Sequence, residues 1–271
     1  MSGGTLVRAL GLRRGQAAAA VGAGGKTSLL SAIAAECHAA GWRPALFTTT
    51  TKIFAPDGEA PLLLGEAPAL FRVLSSWSGD YPCPVTLARS RLGETPDPAE
   101  PSRRRMKLDG FTPEEASAFR ERAGMLLIEA DGARGLPIKA PGPEEPVIPP
   151  WADVVLGVVG LTIIGVPLDE THVFRADAFG RAAGLAPGAP IGPEAIGRLA
   201  LHPEGLFKGT PAGTRKTLIL NQGDAVPDLE KLKQIAYITW SIAGAPRGPA
   251  ESVVCTSMRG GARVLHQHPA A

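Results

Sequence analysis

Residues 17–27 read AAAAVGAGGKT, an unbroken apolar run that passes straight into a glycine turn followed by Lys26 and Thr27. A short apolar run bounded by such a turn reads as a buried strand. From residue 26 to 40, Leu29, Leu30, Ile33, Ala34 and Cys37 share one face of a predicted helix, and Gly41 stops it. Strand, glycine turn and helix in immediate succession therefore open the fold.

The same alternation continues along the chain. Residues 44–47, 125–128, 154–159, 217–220 and 252–255 are further predicted strands, and helical patterns lie near 170–184, 193–202 and 228–243. Thr112-Pro-Glu-Glu115 supplies a helix start, with a capping threonine, a proline in the first turn and a glutamate three residues on. Strand–helix alternation predicts an α/β fold, a mainly parallel sheet with helices on both faces. There is no internal repeat, and residues 1–271 are expected to form a single domain. Residues 55–111, rich in Pro and Gly, are expected to be an irregular insertion carrying one short helix, Ala67–Ser76. Its basic cluster, Arg103, Arg104, Arg105 and Lys107, reads as a solvated face, with phosphate or partner contact as the alternative.

Composition removes several functions. Lys plus Arg number 28 against 26 Asp plus Glu, a net charge of +2, so no global charge advertises nucleic acid or a membrane surface. Aromatics at 5% make base-stacking platforms unexpected. Cys37, Cys83 and Cys255 form no CxxC pair, which argues against a disulfide scaffold or zinc ribbon and suits a reducing cytoplasm. Arg8, Arg13 and Arg14 ahead of residues 17–21 mimic a signal peptide, but the run is short and leads directly into GAGGKT. The apolar stretch 154–166 is broken by Gly157, Gly160 and Gly165 and falls short of the ~20 residues of a membrane helix. A soluble cytoplasmic protein is expected, with neither nucleic acid nor membrane as partner.

The glycine turn carries the first chemistry. Glycines let backbone N–H groups converge on phosphate oxygens, and the helix start adds the positive end of its dipole. Gly22, Ala23, Gly24, Gly25, Lys26, Thr27 and Ser28 are therefore candidate phosphate contacts. Lys26 would reach the β- and γ-phosphates of a nucleoside triphosphate, and the Thr27 hydroxyl would join a Mg²⁺ shell. The pattern is the short GxxGK[ST] of Mur-type ligases and related P-loop proteins, because Ala20 stands where the longer motif has its first glycine. A glycine turn that merely precedes Lys-Thr is the plainer alternative.

Met125-Leu-Leu-Ile-Glu129-Ala-Asp131 is an apolar strand ending in two carboxylates. Alternation puts Glu129 and Asp131 on one side, suited to holding Mg²⁺ or positioning an attacking water, or else to capping a turn. Thr48-Thr-Thr-Thr-Lys52 fits a strand by β-propensity, yet at the sheet edge its hydroxyls, Thr50 among them, and Lys52 would face a γ-phosphate. Asn221-Gln-Gly-Asp224 has the N-x-x-D spacing that reads guanine in GTPases, with Gln222 where lysine is usual; an Asx-turn is the alternative. Arg134 and Lys139 lie close to the carboxylates in sequence and would hold phosphate or an anionic substrate, or be solvated loop charges. His172, in a polar cluster ending at Arg175, is expected to be structural.

VGAGGKTSLL, TTTTKIF, LIEADGARGLPIKAP, VVGLTIIGVPLDETHVFR and LNQGD together resemble the YqeC-like family, grouped as selenium-dependent molybdenum hydroxylase accessory proteins. These motifs run from residue 21 to 224, and EADGARGLPIKAP is the specific part. The resemblance implies a P-loop NTPase fold and a role beside such hydroxylases, in maturing their cofactor. Residues and resemblance together lead to a Mg²⁺-dependent protein that binds ATP or GTP and hydrolyses it or transfers its phosphoryl group. Lys26, Glu129 and Asp131 would carry the chemistry, with Thr27, Glu129 and Asp131 at the metal. The rivals are a Mur-type ligase and a non-catalytic, nucleotide-gated module that delivers a cofactor or selenium species.

Overall fold

The computed structural model describes residues 5–56, 61–78, 83–98, 100–246 and 248–269. After a short helix, α1 (Leu6–Ala9), comes β1 (Ala17–Gly22), every residue of which is buried. Ala17, Ala19 and Val21 belong to one apolar cluster, Ala18 and Ala20 to another. Successive strand side chains point to opposite faces, so β1 has a core on each side, which is why its sequence is apolar without alternation.

The helix α2 (Lys26–Ala39) covers the second cluster with Leu29, Leu30, Ile33, Ala34 and Cys37. There follow β2 (Ala45–Thr49), β3 (Lys52–Phe54), β4 (Leu62–Leu64), α3 (Ala67–Ser76), β5 (Val85–Ala88), β6 (Ser90–Pro96) and β7 (Arg104–Asp109). Residues 55–111 thus depart from the irregular insertion expected of them: the helix is in place, and β4 to β7 accompany it. Their prolines and glycines punctuate short strands instead of abolishing them. The helix α4 (Pro113–Arg120) starts on a capping box, Thr112 accepting from the Glu115 amide while Glu115 accepts from the Thr112 amide.

The second half holds β8 (Met125–Glu129), β9 (Ile138–Lys139), β10 (Val154–Gly160), β11 (Val173–Phe174), α5 (Ala176–Ala183), α6 (Pro193–Leu201), β12 (Arg215–Asn221), α7 (Leu229–Ala243), β13 (Ser252–Ser257) and β14 (Arg263–His268). Helix α5 begins later than the periodicity near 170–184 suggests. Asp169 accepts from the amides of Thr171 and His172, an Asx-type turn that competes with helix at its start.

The main sheet has the order β4-β5-β2-β8-β1-β10-β12-β13-β14, parallel throughout except for β14. The fold is α/β, with a large, mostly parallel sheet. From β1 the chain first builds outward on the β8 and β2 side, then crosses to β10 and continues to β13. The order reverses at β1, and the crevice beyond the carboxyl ends of strands at such a reversal is where open α/β sheets hold ligands. A separate antiparallel sheet, β3-β7-β6, stands beside this crevice. No described helix is long and apolar enough to cross a membrane.

Candidate functional site

The turn after β1 is pressed against β10. Gly22 and Gly24 have φ of +92° and +83°, and a Cβ on either would fall on β10 backbone, the Val158 carbonyl or the Gly160 amide. Only glycine meets both demands. The Gly22 amide donates to Asp131 Oδ2 at 2.9 Å, Ala23 to the Val158 carbonyl and Gly24 to the Leu136 carbonyl. No side chain caps α2, which leaves the amides of Lys26, Thr27 and Ser28 without intrahelical acceptors. Ala20 lies inside β1, paired with Glu129 and Leu156, so the turn begins only at Gly22.

Lys26 is buried, and its Nζ donates to the Gly22 carbonyl at 2.7 Å. Asp131 Oδ1 lies 3.1 Å from that ammonium and Glu129 Oε1 3.8 Å. The closer pair is a buried ion pair. Burial pulls the Lys26 pKa down, but Asp131 and Glu129 outweigh it and the net shift is upward. Burial pushes the Glu129 carboxyl up, against the pull of Lys26 and of Thr27, whose hydroxyl donates to Oε2 at 2.7 Å.

Behind Asp131 lies Lys139, whose ammonium sits 3.1 Å from Asp131 Oδ2 and donates to Glu145 at 2.7 Å and to the Gly132 carbonyl at 2.6 Å. Arg175 also donates to Glu145, at 2.7 Å. Burial raises the Glu145 pKa, but its bonds from Lys139 and Arg175 reverse this and the net shift is downward.

Gly24, Gly25, Lys26, Thr27, Ser28, Thr50, Glu129 and Arg134 all line one cleft of about 990 Å³. Gly22, Ala23, Asp131 and Lys139 are buried in its supporting wall and do not line it. Of the four threonines, Thr48 and Thr49 bond backbone carbonyls of Leu87 and Glu129, while Thr50 and Thr51 reach the cleft. Asn221 is buried, donating to the Gly24 carbonyl at 2.8 Å and accepting from Thr256 at 3.0 Å. Asp224 is exposed, outside the cleft lining, and accepts from Ser257 at 2.6 Å, a bond that lowers its pKa. His172 pairs with Asp169 at 2.8 Å, also off the cleft.

Several cleft residues escape a reading of the sequence. Asp109 on β7 lines it, as do Phe54, Glu145, Phe174 and Arg175; Arg105 and Lys107, expected to be a solvated face with phosphate or partner contact as the alternative, line it too. The useful signal is the period-2 pattern Arg-Met-Lys-Leu-Asp over residues 105–109. The three non-glycine residues with positive φ among the described residues, Arg134, Arg175 and Gln222, all line this cleft as well. Such conformations cost on the order of 1–3 kcal/mol and concentrate at functional sites.

The family model for the YqeC protein matches residues 18–177. The chain belongs to the YqeC family. A curated relative, the uncharacterized protein YqeC of Escherichia coli (strain K12), is 35% identical over 208 residues, covering 74% of each chain. No solved structure matches it. The YqeC match takes in the glycine turn, the β7 wall, both carboxylates, Arg134 and Arg175, and stops before Asn221 and Asp224.

Asn221→Ala is expected to loosen the turn. It removes two buried hydrogen bonds and leaves the Gly24 carbonyl and Thr256 hydroxyl without these partners, at a cost of about 1–3 kcal/mol per unsatisfied group. Chemical denaturation checks this, and hydrogen exchange at residues 22–28 should rise; unchanged stability and protection would contradict it.

Proposed function

We propose that the chain is a P-loop nucleotide-binding protein that takes a Mg²⁺–nucleoside triphosphate and hydrolyses it or transfers its terminal phosphoryl group. The reading is carried by one constellation: an uncapped helix start after a glycine turn, with Lys26 beside Asp131 and Thr27 bonded to Glu129. The turn's amides and Lys26 would hold phosphate oxygens, and Arg134, on the cleft wall, would meet the terminal phosphate.

The oxygen donors fit Mg²⁺, which takes one or two carboxylates and leaves the remainder to water and phosphate. Thr27 with Glu129 or Asp131 would hold it, Glu129 from the cleft lining and Asp131 from the wall behind it. The ion, when bound, would supply positive charge to the phosphate oxygens. Lys26 orients the phosphates, Asp131 fixes the Gly22 amide and draws Lys26 inward, and Lys139 keeps Asp131 in place. Asn221 braces the turn from β12, and Asp224 would contact a base, guanine in preference to adenine, once released from Ser257. The resemblance to selenium-dependent molybdenum hydroxylase accessory proteins supports maturation of such an enzyme as the setting.

Titration with Mg²⁺-loaded and Mg²⁺-free ATP and GTP tests this reading. Saturable binding that Mg²⁺ strengthens supports it, and Glu129→Gln should keep binding while losing most Mg²⁺-dependent turnover. Absence of binding by either nucleotide sinks it. Equal affinity for ATP and GTP, unchanged by Asp224→Asn, would reduce the Asn221–Asp224 segment to a brace and a turn.

A further inference from the structure

We propose that the charged face of the β3-β7-β6 sheet binds the oxyanion group of a second small-molecule substrate across the cleft from the glycine turn. This rests on the nucleotide reading above and adds a substrate class to it. Strand alternation sorts the sheet into two faces. Ile53 and Leu108 are buried in the core cluster that α2 covers, and Met106 packs against it. Lys52, Phe54, Arg105, Lys107 and Asp109 occupy the alternate positions and line the cleft. Register sets Lys107 opposite Phe54 and Lys52 opposite Asp109.

The distribution of charge indicates an anion here. Around the glycine turn the cations are already matched, Lys26 by Asp131 and Glu129, and Lys139 by Asp131 and Glu145. On the sheet, Lys52 and Lys107 make no ion pair among the described residues. Lys107 Nζ stands 4.8 Å from the centre of the Phe54 ring, which holds its head at the wall without neutralising it, while Arg105, on the same ring, also pairs with Asp97 at 3.5 Å. A held cation facing a concave space is the arrangement that recognises phosphate or carboxylate. At about 990 Å³ the cleft lies at the upper end of the ~300–1,000 Å³ range of small-molecule sites.

The full-length chain is titrated with inorganic phosphate and with citrate, each with and without a saturating Mg²⁺–triphosphate analogue. Wild type, Lys52→Gln/Lys107→Gln and Lys26→Ala are compared, with circular dichroism as the folding control and single Lys107→Gln in reserve. The expected result is saturable anion binding that persists with the analogue bound. With the analogue bound, the double variant should weaken anion binding about tenfold or more, charged hydrogen bonds being lost. Lys26→Ala should instead weaken the analogue and keep the anion. Tighter phosphate than citrate assigns a phosphorylated substrate, and the opposite order a polycarboxylate. Anion binding that the analogue displaces, that the double variant retains, or that wild type lacks overturns the proposal. Failure of wild type to bind the analogue overturns the nucleotide reading instead, and anion binding to Lys26→Ala still reads the sheet face separately.

Discussion

Lys26→Ala is expected to weaken triphosphate binding by about ten- to a hundredfold and to lower the melting temperature at the same time. The first effect follows from losing a charge-assisted contact, worth roughly 1.5–3 kcal/mol, with each 1.4 kcal/mol equal to tenfold in affinity. The second follows from the geometry. The Lys26 ammonium is buried 3.1 Å from Asp131 and 3.8 Å from Glu129, so its removal leaves two buried carboxylates short of a cation. Breaking one side of a buried ion pair typically costs about 3–5 kcal/mol. The loss here should fall toward the lower figure because Asp131 keeps Lys139. Isothermal titration separates the two effects from thermal unfolding. Adding Asp131→Asn to Lys26→Ala removes one stranded charge and should recover part of the melting temperature without recovering affinity. A singly substituted, fully stable protein with wild-type affinity would refute both the phosphate role and the ion-pair account.

Lys139→Met should be the most destabilising single substitution in the site. The Lys139 side chain has no exposed surface, and its ammonium serves Asp131, Glu145 and the Gly132 carbonyl together. Methionine has similar length and no charge, so packing is largely kept while Asp131 and the Gly132 carbonyl each lose a partner. The expected loss is about 3–5 kcal/mol, or a fall of very roughly 10 °C at the ~2–4 °C per kcal/mol usual for chains of this order. Glu145 retains Arg175, which limits the damage on that side. Nucleotide affinity should drop indirectly, since Asp131 then holds the Gly22 amide less firmly. Differential scanning calorimetry decides it: a melting temperature within about 2 °C of wild type would mean that the buried ammonium is not a keystone of this wall. Recovery on adding Asp131→Asn would locate the cost at the stranded carboxylate.

The parts of this protein legible from its residues are those governed by neighbours along the chain. Periodicity over residues 17–40 specifies a buried strand, a glycine turn and a helix, and they stand at Ala17–Gly22 and Lys26–Ala39. The Thr112 capping box is equally local and is present. Spacing by two put Glu129 and Asp131 on one side of their strand end, and both face Lys26.

The sequence by itself therefore determined the strand–helix alternation, the glycine turn and the shared side of Glu129 and Asp131, because each depends on neighbours within a few residues. It is the pairing of β8 with β1 that brings the carboxylates to the turn. Tertiary structure alone decided which charges meet. The 105–109 segment reads as a solvated basic run until antiparallel pairing with Lys52–Phe54, some fifty residues earlier, turns Lys107 and Arg105 toward the cleft. Lys139 reads as a loop cation near phosphate, yet the fold buries it among Asp131, Glu145 and a carbonyl. Asn221 reaches Gly24 across 197 residues of chain. A charged side chain is stable in water or against a buried partner of opposite sign, and which of the two it finds is set by the pairing of distant strands.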